Sequence, residues 1–260
     1  MIHEKQIEVR YAETGIAGKL KPVSIFNYLQ DVASEHCAVL GISAWDMLLK
    51  GLAWVVLNYQ LVIYKYPVWK EDLVIRTWRY PHRKLYELRQ YKIFDQHQHL
   101  LIDAKSSWVL TNLSTKKPVR LDRHLPENIM ADRQLKIEND LIALDQSARP
   151  EATRIFQTRM HDLDFNRHVN NSVYAVWALE SIPSHIISTH DPEKIIINYI
   201  GESLYGDRIR SNTQHLASKP SNIFLHSLIN EQTQKEITRV KTEWKKNNLD
   251  ARHDGRDIHP

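Results

Sequence analysis

"LNYQLVIY", residues 57–64, and "INYIGESLY", residues 197–205, share an Asn-Tyr pair 140 positions apart, each within a run that reads as a strand. A second match, "AKSSWVLTN" (104–112) with "VKTEWKKNN" (240–248), places Lys105 over Lys241 and Trp108 over Trp244 at an offset of 136. Two matches in the same order, at nearly the same offset, describe two copies of one unit of about 115 residues.

The unit can be read outward from these stretches. Ile7, Val9 and Tyr11 alternate with polar residues, as a strand requires. Pro22 then suits the first turn of a helix whose apolar stripe is Phe26, Leu29, Ala33, Cys37 and Leu40. Strand-like runs follow at 52–66, 73–80, 85–94 and 100–113. The second copy repeats the order, with a strand over 152–160, a helix over 171–181 and further strands. Charges and prolines accumulate in between, so the reading is a first unit over 1–117, a linker over 118–150 and a second unit over 151–260. A long helix burying one face against a curved antiparallel sheet makes the class α+β.

Composition narrows the function. Of 260 residues 42% are hydrophobic and 25% charged, and the longest apolar run, Leu52 to Leu57, is far below the ~20 residues of a membrane span. The charged start "MIHEKQIEVRYAE" argues against an export signal, and the single Cys37 fits a reducing cytoplasm. The net charge of +4 is scattered; it suits a solvated surface, or steering of an acidic protein partner, and no nucleic-acid motif accompanies it. "GESLYG" has Tyr205 where a nucleophile elbow needs its second Gly. H-E-x-x-H, C-x-x-C and Gly-rich phosphate loops are missing, so neither a metal nor a nucleotide cofactor is expected.

One polar constellation remains, "DLDFNRHVNN" (162–171). On extended backbone Asp164, Asn166 and His168 would point to one side, shared by Asp162. Asn170 and Asn171 fall where a helix N-cap is wanted, so a carboxylate, an amide and an imidazole would meet the free N–H groups of a helix start. The same residues would equally make an Asx-rich turn that only caps the helix.

D-x-N-x-H-V-N-N (164–171), followed by an aromatic helix and "LESIP" (179–183), resembles the acyl-acyl-carrier-protein thioesterases. That resemblance implies a double hotdog, two repeats each with a long helix wrapped by an antiparallel sheet. It implies hydrolysis of fatty acyl thioesters on the phosphopantetheine arm of acyl carrier protein, without a cofactor. The family takes an Asp, an Asn and a His from this motif and a Glu thirty-eight residues beyond the Asp; residue 202 is Glu. The implied catalytic set is therefore Asp164, Asn166, His168 and Glu202. Plant members often carry a Cys after that Glu where this chain has Ser203, which favours an attacking water over a thiol. The missing plastid leader points to a bacterial, cytoplasmic member, and a homodimer stays open.

The offset of 140 sets Val62 opposite Glu202, and "RYAETGIAG" (10–18) lacks the acid-amide-imidazole series. The second copy would then hold the chemistry and the first an apolar acyl tunnel, in which partial burial would make Glu202 a stronger base. Competing readings are an acyl-coenzyme A thioesterase and a hotdog protein that binds acyl thioesters without turnover.

Overall fold

The computed structural model describes residues 1–132, 135–138, 141–146, 150–164, 166–217 and 219–247. Asn248, the last residue of the second sequence match, lies outside them. The first half comprises β1 (His3–Glu8), α1 (Pro22–Val39), α2 (Ala44–Leu48), β2 (Leu52–Ile63), β3 (Asp72–His82), β4 (Tyr86–Asp95) and β5 (Leu100–Asn112). Then come β6 (Pro118–Val119) and α3 (Glu127–Ala131). The second half comprises β7 (Ala152–Gln157), α4 (Asn171–Leu179), α5 (Ser184–Thr189), β8 (His190–Tyr199), β9 (Arg208–Ala217), β10 (Asn222–Asn230) and β11 (Lys235–Lys246).

The strands form one antiparallel sheet in the order β1-β3-β4-β5-β2-β8-β11-β10-β9-β7, with β6 beside β5. Exchanging each strand for its counterpart reverses this order onto itself, so the sheet is two hotdog sheets joined edge to edge through β2 and β8. Pro22 opens α1 with its fixed φ, and Ile25, Phe26, Leu29, Val32 and Ala33 bury the helix against β2, β3, β4 and β5. Ala175 and Ala178 of α4 join the same cluster; their small side chains let the second helix approach the first. The segment expected as a linker begins as packed structure: Leu121, Leu125 and Ile129 close over Ile42, Met47, Leu52 and Leu110.

The hydrogen bonds fix how the copies correspond. Gly15 N–H donates to Lys19 O as Asp164 N–H donates to His168 O, and Lys21 N–H donates to Glu13 O as Asn170 N–H donates to Asp162 O, an offset of 149. After the helices the offset is 136: Tyr64 and Lys65 donate to Leu101 O as Ile200 and Gly201 donate to Ile237 O. The first copy is therefore thirteen residues longer between helix and strand, where α2 lies. The offset from Trp108 to Trp244 is correct. The one from Asn58 to Asn198 is not, because β2 and β8 run antiparallel about the pair Gln60–Ile196, which turns Asn58 to face Asn198 as a cross-strand neighbour. Asn198 Nδ2 donates to Asn58 Oδ1 at 2.8 Å. The counterpart of Glu202 is Tyr66, not Val62.

In both copies an acid caps the short 3₁₀ turn before the helix. Glu13 accepts from Arg10 N–H at 2.9 Å, and the buried Asp162 accepts from Arg159 N–H and Nη2, each at 2.8 Å. Burial alone would raise the Asp162 carboxyl, but hydrogen bonds and charge from Arg159 outweigh it and hold it below the usual value. A carboxyl lowered on folding stabilises the fold above its unfolded value of about 3.9, and that contribution is lost as pH falls through the folded value. Asp162→Asn should therefore cost roughly 1–3 kcal/mol at neutral pH. Urea midpoints of the variant and parent should draw together as the pH falls through the lowered carboxyl range of the folded protein; a deficit unchanged from neutral to acid pH would refute the linkage.

Candidate active site

The loop between β7 and α4 is not extended. A bridge between Leu163 and Val169 closes it, and Arg167 at φ 64° turns the chain back. Asp164 Oδ1 accepts from Asn166 N–H at 2.8 Å and from His168 N–H at 3.2 Å. The Asx-rich turn of the second reading is formed by Asp164, and Asn166 and His168 stand on that turn. Asp162 does not join them, since Arg159 holds it below the turn.

Glu202 arrives from the other side, on the loop that leaves β8. Val169 N–H donates to Ser203 O at 3.0 Å, and Ser203 N–H donates to Tyr174 Oη at 3.1 Å. Tyr199 Oη donates to Asn171 O at 2.9 Å. A Cβ on Gly201 would come within 3.3 Å of Ile237 Cγ2, so a larger residue would push Glu202 away from the turn. These contacts place Glu202 Oε2 3.5 Å from His168 Nε2. The structure therefore brings the imidazole and the second carboxylate together, with Asp164 behind the imidazole's own backbone and Asn166 exposed at the tip.

Two details depart from expectation. The Glu202 side chain is 58% exposed, so the burial assigned to it is absent from the free protein. The start of α4 is already capped: Asn170 Oδ1 accepts from Ser172 N–H and Oγ, each at 3.0 Å, and Asn170 O accepts from Val173 N–H. Few N–H groups there remain for an oxyanion. Sequence reasoning missed Tyr174. Burial, with Glu202 and Asp164 nearby, raises its hydroxyl to about 12, so it stays protonated while it fixes the Ser203 backbone. Its place one turn into the helix that follows the motif is the only signal the sequence offers. Ser203 Oγ is fully buried without a hydrogen-bond partner, so no base activates it. Glu180 pairs with Arg154 and Glu35 with Lys5 and His3, the blander roles for helix acids.

The first copy keeps the frame without the chemistry. Gly15, Ala17, Lys19 and Tyr66 stand where Asp164, Asn166, His168 and Glu202 do, and Lys19 Nζ lies 5.9 Å from the centroid of Tyr66. Its loop seats against the start of β8, through an ion pair from Lys19 to Asp191 and a 2.6 Å hydrogen bond from Tyr66 Oη to Pro192 O. The two-fold about Gln60–Ile196 makes the start of β2 the counterpart of this start of β8. A cavity lies inside the first copy, between α1, α2 and the sheet, lined by Ala33, Cys37, Ala44, Trp54 and Trp108 with Gln30, Glu87 and Arg89. Its surface is mainly apolar, with Gln30, Glu87 and Arg89 among the residues that border it. Its counterpart in the second copy is filled: Leu179, Ile182, Ile186, Phe224 and Trp244 pack there as a closed cluster.

Residues 1–129 match the acyl-ACP thioesterase N-terminal domain and residues 146–246 the C-terminal domain of that family. The chain is 26% identical over 260 residues to an acyl-[acyl-carrier-protein] hydrolase of Cuphea viscosissima, covering 95% of this chain and 63% of that protein. It is 29% identical over 282 residues to an oleoyl-acyl carrier protein thioesterase of Arabidopsis thaliana, covering 94% and 77%. In fold it matches an acyl-ACP thioesterase from Bacteroides thetaiotaomicron with a TM-score of 0.82 at 22% identity, over 94% of this chain and 98% of that one. It matches the 12:0-ACP thioesterase of Umbellularia californica with a TM-score of 0.82 at 20% identity, over 95% and 98%. Two tandem hotdog units, one carrying Asp164, Asn166, His168 and Glu202 and the other the open cavity, belong in this chain to the acyl-ACP thioesterase family.

Proposed function

We propose that the chain hydrolyses the thioester of a fatty acyl chain carried on acyl carrier protein and releases the free acid. The observation that carries the reading is the 3.5 Å approach of His168 to Glu202, held by the Asp164 turn and the Ser203 backbone contacts. A thioester carbonyl needs an activated water and little more. Glu202 accepts the proton of that water, and His168, oriented by the Asp164 turn, holds Glu202 and passes the proton to the departing thiolate. The Asn166 amide, at the exposed tip, positions the carbonyl or the water. The acyl chain enters the first-copy cavity, so units 1–117 and 151–260 divide the work between binding and chemistry. Acyl carrier protein is acidic and the net charge here is +4, which favours that carrier over coenzyme A. Comparing kcat/KM for one acyl group on each carrier tests this; equal values would leave the carrier assignment without support.

Glu202→Gln should retain the fold, since the side chain is exposed, and lose on the order of 10²-fold in kcat. Turnover within a few-fold of the parent would remove Glu202 from the mechanism. Ser203→Ala should keep kcat within a few-fold and should not lower stability, because it deletes a buried hydroxyl with no partner. A loss like that of Glu202→Gln would instead indicate a covalent hydroxyl mechanism.

The second copy shows how to close the cavity. Ala33→Ile and Cys37→Ile would fill the first-copy space with isoleucines, as Ile182 and Ile186 fill the second-copy cluster beyond the end of α4. The optimum should move to shorter acyl chains, with longer ones disfavoured by ~1–3 kcal/mol per surplus methylene. A product profile unchanged in length would place the acyl chain elsewhere.

A further inference from the structure

A cavity meant only for methylenes has no use for a buried cation, yet this one is lined by Arg89, which is 3% exposed. The Arg89 guanidinium donates to His36 Nδ1 at 3.0 Å, to Thr77 Oγ1 at 3.3 Å and to Cys37 Sγ at 3.2 Å. None of these partners is an anion. Burial, with the charge of Arg89 beside it, lowers His36 to about 3, and burial pushes the Cys37 thiol up, so both are neutral at pH 7. Glu87 is close along the strand, but both of its oxygens are taken by the buried Arg79. Arg79 and Glu87 cancel, and the charge of Arg89 is left over.

The second copy shows that the fold does not require this charge. The β3–β4 pair Thr77–Tyr91 corresponds to the β9–β10 pair Thr213–His226, which sets Arg89 opposite Phe224. In the same comparison Gln30 stands for Leu179 and Cys37 for Ile186, by position from the helix start. Where the space is closed its lining is apolar, and where it is open Arg89 and Gln30 are among the residues that border it. Uncompensated buried charge is costly unless something pairs with it, and a carboxylate meets a guanidinium in two parallel hydrogen bonds.

We propose that the cavity receives an acyl chain whose far end carries a carboxylate, bound by Arg89 with Gln30 beside it. The inference rests on the thioesterase reading for the direction in which the chain enters. The reaction is unchanged: water adds to the thioester carbonyl, the carbon–sulfur bond breaks, and the products are a dicarboxylate and the carrier thiol.

The test compares carrier-bound thioesters with methyl ends and with carboxylate ends, matched in length across a series, on the full chain. At one length or more the carboxylate-ended substrate should show roughly tenfold or higher kcat/KM than its methyl-ended match. Arg89→Met should reduce that ratio by a similar factor. Preference for the methyl end at every length in the parent would overturn the proposal and leave the thioesterase reading standing. Hydrolysis of neither series would overturn the thioesterase reading instead. Calorimetric titration of the parent with free dicarboxylates of the same lengths then decides the subsite separately. Saturable binding that is stronger than for matched monocarboxylates supports it, and no difference refutes it. These parent measurements hold even if the Arg89 variant fails to fold.

Discussion

The five-residue ladder from Asn58–Asn198 to Val62–Lys194 governs everything else in this molecule. It joins two edge strands that would otherwise expose unpaired backbone, and so makes one sheet of two. Because the pairing is antiparallel about Gln60–Ile196, the loop leaving each strand must end beside the beginning of the other. In the first copy this is seen directly: Lys19 pairs with Asp191 and Tyr66 Oη donates to Pro192 O at the start of β8.

Within that geometry the copies diverged by side chain more than by backbone. Gly18 and Arg167 share the left-handed conformation, at φ 68° and 64°, and the same hydrogen bonds close both turns. Lys19 and Tyr66 replace an imidazole and a carboxylate by a cation held against an aromatic face and an ion pair to Asp191. Substituting such contacts for a reactive pair turns a potential second site into a clasp between the copies. The cavity diverged in the opposite sense. Thirteen extra residues add α2 over its end, with Ala44 facing it, and Ala33 and Cys37 leave open what Ile182 and Ile186 fill. The second copy keeps a fully packed core, and the first gives up packing for room.

Much of this was legible in the sequence, and the misreadings have physical causes. The helix from Pro22 and the strands β2, β3, β4 and β5 followed from periodicity, because each buries one face. The pair Trp108 and Trp244 gave the true offset because both occupy the same place on equivalent strands. The Asn58 and Asn198 pair misled because residues that face each other across a two-fold need not be equivalent. Asp164, Asn166 and His168 were found as a motif, but alternation suggested extended backbone where Asp164 folds the chain into a turn. Asn166 and Arg167 at the tip carry no apolar pattern that would reveal this. The buried charges of Arg79, Glu87 and Arg89 were hidden for a different reason. In β3 and β4 they stand among apolar residues with nothing in the pattern to mark them as buried, yet Arg79 donates to Ile129 O of α3 and Arg89 meets His36 and Cys37 of α1.

The exposure of Glu202 then has a place in the mechanism. In water, an imidazole and a carboxylate 3.5 Å apart interact weakly, because solvent screens them. Under the proposed function, an acyl chain seated in the first copy would carry its thioester and carrier arm over Glu202 and His168. Covering them removes the competing water and strengthens their mutual polarisation at the moment the thioester is in reach. A base assembled in this way would be idle without substrate and active only under it. Catalysis would depend on how fully the acyl chain seats in the first copy, even though every reacting group belongs to the second.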